Sequence, residues 1–211
     1  MIVLALDTCL DACSVALSDG DAVLAALSEP MRRGHQERLA SMVDEVMRTG
    51  GRGFGAVDRI GVTVGPGSFT GLRVGLAFAK GLGVALDRPV VGIGVLEALA
   101  EGLAGFVASV IDARRGQAYL QVFADGRPLT APDVLLVETA AARLTALWSG
   151  GPATLTGPGA SLLAGVLSGA ALVARSAPDP AAIAARAARA RAPIPPPRPL
   201  YLRAPDAQPS A

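Results

Sequence analysis

Residues 60–86 read IGVTVGPGSFTGLRVGLAFAKGLGVAL. Ile60 to Val64 is a short apolar run rich in β-branched residues, the pattern of a buried strand. Gly65-Pro66-Gly67 stops it, because the glycines permit positive φ and close backbone approach while Pro66 stiffens the turn. Ser68 or Thr70 can cap a helix, and the spacing carries that helix from Thr70 to Leu86. A strand that turns through glycines into a long helix is a building unit of α/β folds. Inside the helix Gly71, Gly75, Ala79 and Gly83 recur every four residues and make a stripe almost free of side chains. Glycine in a helix interior costs up to about 1 kcal/mol relative to Ala. Close approach by another backbone would compensate. That neighbour is either the chain's own sheet or a helix of another subunit, with Leu72, Leu76 and Leu82 adding apolar contact.

The pattern extends on both sides. Three strands precede it, Ile2 to Leu6, Ser14 to Leu17 and Val23 to Leu27, the last two joined by the hairpin signal Asp19-Gly20-Asp21. A helix fits His35 to Met47, since Leu39, Met42, Val43 and Val46 fall on one face. After it come a strand at Pro89 to Gly92 and a helix at Val95 to Leu103. A second unit starts near Gly105. Strands at Phe106 to Asp112 and Ala118 to Phe123 flank Arg114-Arg115-Gly116, and a helix follows at Thr139 to Trp148. Then come a strand at Ala153 to Thr156, the turn Gly157-Pro158-Gly159 and a helix at Ala160 to Leu167. An Ala/Arg-rich helix from Pro178 to Arg191 and an extended polyproline stretch from Pro193 to Pro199 close the chain. The second unit echoes the first. The expected organisation is an N-terminal lobe over 1–104, a reduced C-terminal lobe over 105–192 and a proline-rich tail over 193–211.

Composition narrows the function classes. The 211 residues are 51% hydrophobic and 18% charged, with 19 Lys plus Arg against 18 Asp plus Glu. A net charge of +1 argues against a protein that grips nucleic acid mainly by electrostatics. The apolar stretch from Leu72 to Leu86 is broken by Arg73 and Lys80 and falls short of the roughly 20 residues of a membrane span. The two cysteines, Cys9 and Cys13, lack the spacing of a redox or zinc motif. They read as small buried residues that stay reduced, and no basic leader precedes the apolar start, so a cytoplasmic protein is expected.

Few residues offer chemistry. Asp7-Thr8 ends a strand, where a carboxylate beside a hydroxyl can hold a magnesium-bound water or simply form a polar turn. Gly67 and Ser68 open a helix whose N–H groups can bind an anion, although the block is neither a Walker loop nor a dinucleotide fingerprint. His35 is the single histidine, which excludes every site needing two imidazoles. Arg114 and Arg115 occupy a turn where a phosphate-cradling hairpin would carry glycine and threonine.

These segments resemble the TsaB (YeaZ) family. The resemblance rests on LALDT (4–8), CSVAL (13–17), HQERL (35–39), GPGSFTGLRVG (65–75), PVVGIGVLEALA (89–100), DARRGQAY (112–119) and PLYLR (199–203), and covers almost the whole chain. It implies an α/β fold of the actin/sugar-kinase/heat-shock ATPase class, with two related lobes of mixed sheets flanked by helices, the second lobe reduced. It further implies a non-catalytic paralogue of the TsaD/Kae1 transferase that makes threonylcarbamoyladenosine in tRNAs reading ANN codons. In that setting TsaD is the heterodimer partner, TsaE the third component, and a homodimer the alternative when TsaD is absent. ATP and magnesium serve the assembled complex, tRNA is met only through it, and the chain has no metal or cofactor of its own. In TsaD an H-x3-H pair binds metal; here His35 is followed four residues later by Leu39. The family pairs through its first two helices, which implies a partner interface at His35, Leu39, Met42, Val43, Val46, Leu72, Gly75, Leu76, Ala79 and Gly83. Candidate residual phosphate contacts are Asp7, Thr8, Gly67, Ser68 and Arg114, and Tyr201 and Arg203 are candidate docking residues of the tail. The competing functions are an autonomous ATPase or phosphotransferase of the same superfamily and, set lower for lack of ligands, a metallopeptidase.

Overall fold

A computed structural model describes residues 1–203; the last part of the expected tail, 204–211, lies outside the described residues. The first lobe runs β1 (Ile2–Asp7), β2 (Ala12–Asp19), β3 (Ala22–Pro30), α1 (His35–Thr49), β4 (Arg59–Thr63), α2 (Phe69–Leu86), β5 (Val90–Ile93) and α3 (Val95–Ala100). The second runs β6 (Phe106–Arg114), β7 (Gln117–Ala124), β8 (Arg127–Pro128), β9 (Asp133–Leu136), α4 (Val137–Leu147), β10 (Ala153–Thr156) and β11 (Ala171–Val173), with α5 (Pro180–Arg189) last.

The two sheets share one plan. In the first, ordered β3-β2-β1-β4-β5, the hairpin partners β1, β2 and β3 pair antiparallel while β1, β4 and β5 pair parallel. In the second, β6 holds the place of β1. It pairs antiparallel with β7 and parallel with β10, which in turn pairs parallel with β11, while β8 and β9 both border β7. Each lobe has its own core, centred on Leu4, Leu6, Leu17, Met42 and Leu72 in the first and on Leu120, Leu144 and Leu155 in the second.

Three expectations are corrected. The helix placed at Ala160 to Leu167 is a single 3-10 turn, Ala160–Leu163, because Gly165 and Gly169 adopt left-handed φ of 81° and 72° and end it. The helix at Val95 stops at Ala100, with left-handed Gly102 just beyond. The helix assigned to the second lobe, α5, belongs structurally to the first: Ile183, Ala184 and Ala187 bury against Val3, Ala5 and Ala16. Its alanines allow this, since a Cβ at Gly61 of β4 would lie 2.8 Å from the Ala187 Cβ. Asp179 caps its start through Ala181 N–H, and the Arg59 guanidinium donates to the carbonyls of Ala187 (2.6 Å) and Ala190 (2.9 Å) at its end. The first sheet is therefore covered on both faces, by α1 and α2 on one side and α5 on the other.

By length and composition α2 could cross a membrane. Its inward residues Leu72, Leu76 and Ala79 are instead built into the core of the first lobe.

Candidate functional site

The GPG turn closes a polar corner at the end of β1. Asp7 is fully buried; its Oδ1 accepts from the Thr63 hydroxyl (2.5 Å) and the Cys9 N–H (3.1 Å). Its Oδ2 has no protein partner. Burial raises the Asp7 pKa, and this outweighs the hydrogen bonds from Thr63 and Cys9 and the nearby His35, which all favour the anion. The Thr8 hydroxyl donates to the Gly71 carbonyl at 2.6 Å, and Ser68 N–H to the Cys9 carbonyl at 2.7 Å. The helix start is thus clamped to the β1–β2 turn.

The small-residue stripe exists for this clamp. A Cβ at Gly71 would lie 1.9 Å from the Thr8 carbonyl oxygen, at Gly67 2.3 Å from that of Cys9, and at Gly75 2.5 Å from Thr8 Oγ1. At Gly83 it would meet Val90 of β5 at 2.4 Å. The neighbours that these glycines admit are this chain's own β1–β2 turn and, at Gly83, strand β5.

This corrects the candidate phosphate contacts. Asp7 and Thr8 have no surface to offer a ligand. Gly67 is seated on Cys9, and the Ser68 hydroxyl accepts from Gly71 N–H as the cap of α2. Arg114 stands on the hairpin tip at φ +63°, its N–H and guanidinium both donating to Asp112 (2.7 and 3.1 Å). These residues do not fit a magnesium nucleotide in this arrangement. Cys9 and Cys13 are free and buried, the Cys9 thiol pushed up by burial and Asp7, the Cys13 thiol to about 11 for the same reasons. The His35 ring hydrogen-bonds the Ala12 carbonyl through Nε2 at 3.2 Å. Among the described residues no group of three His, Cys, Asp or Glu side chains could hold a metal.

The expected partner face is corrected as well. Leu39, Met42, Val43 and Val46 of α1 and Leu72, Leu76 and Ala79 of α2 are core residues, and His35 is buried. Gly75 and Gly83 are covered by Thr8 and Val90. Except at Leu39, which floors a groove between the two helices, they are packed into this chain's own core and not presented outward. The outward face of α2 is a different set: Phe69 (54% exposed), Arg73, Ala77, Lys80, Gly81 and Val84 (83% exposed). With Thr70, also exposed there, it is apolar except for one hydroxyl and two cations, and α2 contains no acidic residue. Beside it α1 exposes Gln36, Glu37, Ser41, Asp44 and Arg48. Between the helices runs a groove of about 510 Å³ floored by Leu39, Val74 and Phe78 and edged by Gln36, Phe69 and Arg73. Helical periodicity and the lack of acids on α2 are the signals of this face in the sequence, once the stripe is taken to point inward.

The tail straps the two lobes together. Pro197 packs on Gly92, Leu200 N–H donates to the Val64 carbonyl (2.8 Å), and Tyr201 stacks on Phe69 with ring centroids 5.7 Å apart. Arg203 then donates to the Ala113 carbonyl (2.9 Å) and to Gln117 in the second lobe. The expected docking of Tyr201 and Arg203 is thus given partners.

Comparison with known proteins agrees with this architecture. Residues 27–134, which contain α1, α2 and the start of the second lobe, match the family model described as TsaD, tRNA N6-adenosine threonylcarbamoyltransferase. The tRNA threonylcarbamoyladenosine biosynthesis protein TsaB of Escherichia coli is 37% identical over 56% of this chain and 53% of its own. The chain thus spans about half the length of such curated relatives. The solved structure of YeaZ from Pseudomonas aeruginosa is 32% identical, covers 89% of this chain and 90% of its own, and superposes with a TM-score of 0.77. The activator of 2-hydroxyisocaproyl-CoA dehydratase from Clostridium difficile, 9% identical over 89% of this chain and 94% of its own, shares only the fold, with a TM-score of 0.53. The fold is the two-lobed α/β arrangement of the actin/sugar-kinase/heat-shock ATPase class.

Proposed function

The chain belongs to the TsaB/YeaZ family, and from that premise we propose that it is a non-catalytic, scaffolding subunit of the machinery that makes threonylcarbamoyladenosine in tRNA. In this reading it pairs with a TsaD transferase through the outward face of α2 and the groove beside α1. The observation that carries it is that apolar face. Val84 is 83% exposed on a helix with no acidic residue, and such a patch on a folded protein marks an interaction site. The family-model match adds a geometric reason: a TsaD protein carries counterparts of α1 and α2, so the two chains can pair helix pair against helix pair about a pseudo-twofold axis.

The closed corner supports the non-catalytic half of the proposal. Asp7 and Thr8 are buried under α2, and the corresponding hairpin of the second lobe carries Arg114 and Arg115. The chemistry then belongs to TsaD. ATP and magnesium serve the assembled complex, TsaE joins it as a third component, tRNA is met only in that complex, and the location is cytoplasmic. In the absence of TsaD the same face serves a homodimer.

Reconstitution tests the reading. The chain alone should form no threonylcarbamoyladenosine on an ANN-reading tRNA and turn over no ATP. With TsaD, TsaE and the activated threonylcarbamoyl donor it should restore modification, and the Val84→Asp variant should not. Steady ATP turnover by the pure chain, abolished by Asp7→Ala, would instead support an autonomous ATPase.

A further inference from the structure

We propose that the partner seated on the outward face of α2 is anchored by Tyr201 of the C-terminal strap, which stands with Phe69 and Arg73 as one preassembled cluster, and that docking there holds the strap across the two lobes. The inference rests on the reading of α2 as the partner face.

The cluster is built from residues of distant sequence. The Arg73 guanidinium carbon lies 3.6 Å above the centre of the Phe69 ring, and Arg73 Nε donates to the Tyr201 hydroxyl at 3.1 Å. Tyr201 in turn tilts onto Phe69. Phe69 and Tyr201 nevertheless remain 54% and 49% exposed. Two aromatic rings and an arginine, already ordered and half open to solvent, are the composition of an interface hot spot. Holding them in place beforehand removes most of the ordering cost of binding. They sit at the N-terminal end of the same face that carries Ala77 and Val84, so one partner can cover all of it. Arg73 and Lys80 are its only charges, and the complementary surface is therefore apolar with carboxylates opposite these two cations.

The strap gives the cluster a second consequence. One residue before Tyr201, Leu200 N–H is tied to the Val64 carbonyl at the end of β4; two residues after it, Arg203 is tied to Ala113 and Gln117 of the second lobe. A partner that buries Tyr201 immobilises this segment between its two attachments. The relative position of the lobes then becomes coupled to pairing, with no ligand in the cleft between them.

The test uses the full chain titrated with TsaD of the same organism. Wild type, Tyr201→Ala, Tyr201→Phe and Val84→Asp are compared by calorimetry, with hydrogen exchange at Leu200 followed in the free and bound chain. Thermal melting verifies that each variant is folded. Tyr201→Ala should weaken binding at least tenfold, Tyr201→Phe only a few-fold because the ring stack survives, and Leu200 exchange should slow on binding. If Val84→Asp abolishes binding while Tyr201→Ala stays within twofold of wild type, or Leu200 exchange is unchanged by TsaD, the anchor is refuted and the helix face stands. If Val84→Asp also binds normally, the face itself is refuted and the anchor with it.

Discussion

The two lobes share a strand plan and differ in the element that the glycine turn leads into. In the first, Thr63-Val64-Gly65-Pro66-Gly67 opens α2, a helix of 18 residues; in the second, Thr156-Gly157-Pro158-Gly159 opens a single 3-10 turn of 4. The closures are alike in detail. Asp7 Oδ1 accepts from the N–H two residues on, and so does Asp112 Oδ1. Gly65 and Gly157 both take left-handed φ, 104° and 96°. Each turn is docked on the central strand of its own sheet or the turn just beyond it, Ser68 N–H on the Cys9 carbonyl and Gly159 N–H on the Val110 carbonyl. The second lobe thus keeps the closure and lacks the helix. Among the described residues the long apolar helix belongs to the first lobe, and the proposed pairing is therefore placed there.

If both closures depend on backbone contact, both should fail when a methyl group is added. Gly71→Ala sets a Cβ 1.9 Å from the Thr8 carbonyl oxygen, and Gly159→Ala sets one 2.6 Å from Asp112 N. Neither neighbour can rotate away. Overpacking against fixed backbone should cost about 3 kcal/mol or more in each, read as a lower midpoint in urea unfolding. A large loss in the first lobe beside a negligible one in the second would break the analogy.

The paired aspartates sharpen it. Asp7 is buried with an unpartnered oxygen, whereas Asp112 is half-exposed and joined to Arg114. The raised pKa of Asp7 means that the folded state binds its proton more tightly than the unfolded chain. Stability from this group is complete below the ordinary carboxylate value and is lost as pH rises through the folded pKa. Asp7→Asn should therefore raise the melting temperature at pH 8, with the gain shrinking as pH falls toward 4. Asp112→Asn forfeits only an exposed ion pair, worth about 0–1 kcal/mol, and should shift it little.

Smaller effects separate the two sides of α2. A Cβ at Gly81 meets nothing within 4 Å, so Gly81→Ala should stabilise the free chain by up to about 1 kcal/mol through helix propensity alone. That is the opposite sign to Gly71→Ala on the same helix. In the second lobe, Arg114→Asn should shift stability by less than about 1 kcal/mol, since relief of a left-handed φ that Asn tolerates better offsets the lost exposed ion pair with Asp112. Thermal unfolding resolves both.

Much of this architecture is legible in the residues. Ile2 to Leu6, the helix over His35 to Met47 and the turn-to-helix unit at Gly65 are set by periodicity and turn chemistry. The edge strands β8, β9 and β11 escape it, since segments of 2 to 4 residues on a sheet margin carry no repeating pattern. The placement of α5 escapes too, because its Ala/Arg pattern shows an amphipathic helix without showing which sheet it covers. The main miss is directional. A four-residue spacing of Gly71, Gly75, Ala79 and Gly83 establishes that something comes close; only the contacts with Thr8 and Val90 show that it is this chain's own backbone and side chains. Likewise, Asp7-Thr8 looks the same in sequence whether a helix start lies over it or a phosphate does.

In the proposed pairing the outward face of α2, and not its small-residue stripe, receives the partner. Sedimentation velocity of the full chain mixed with TsaD, run with wild type and Val84→Asp, tests it directly. Val84→Asp should unfold within about 0.5 kcal/mol of wild type, as exposed substitutions do, and sediment as a free monomer beside free TsaD. A Val84→Asp complex that sediments like the wild-type complex would contradict it.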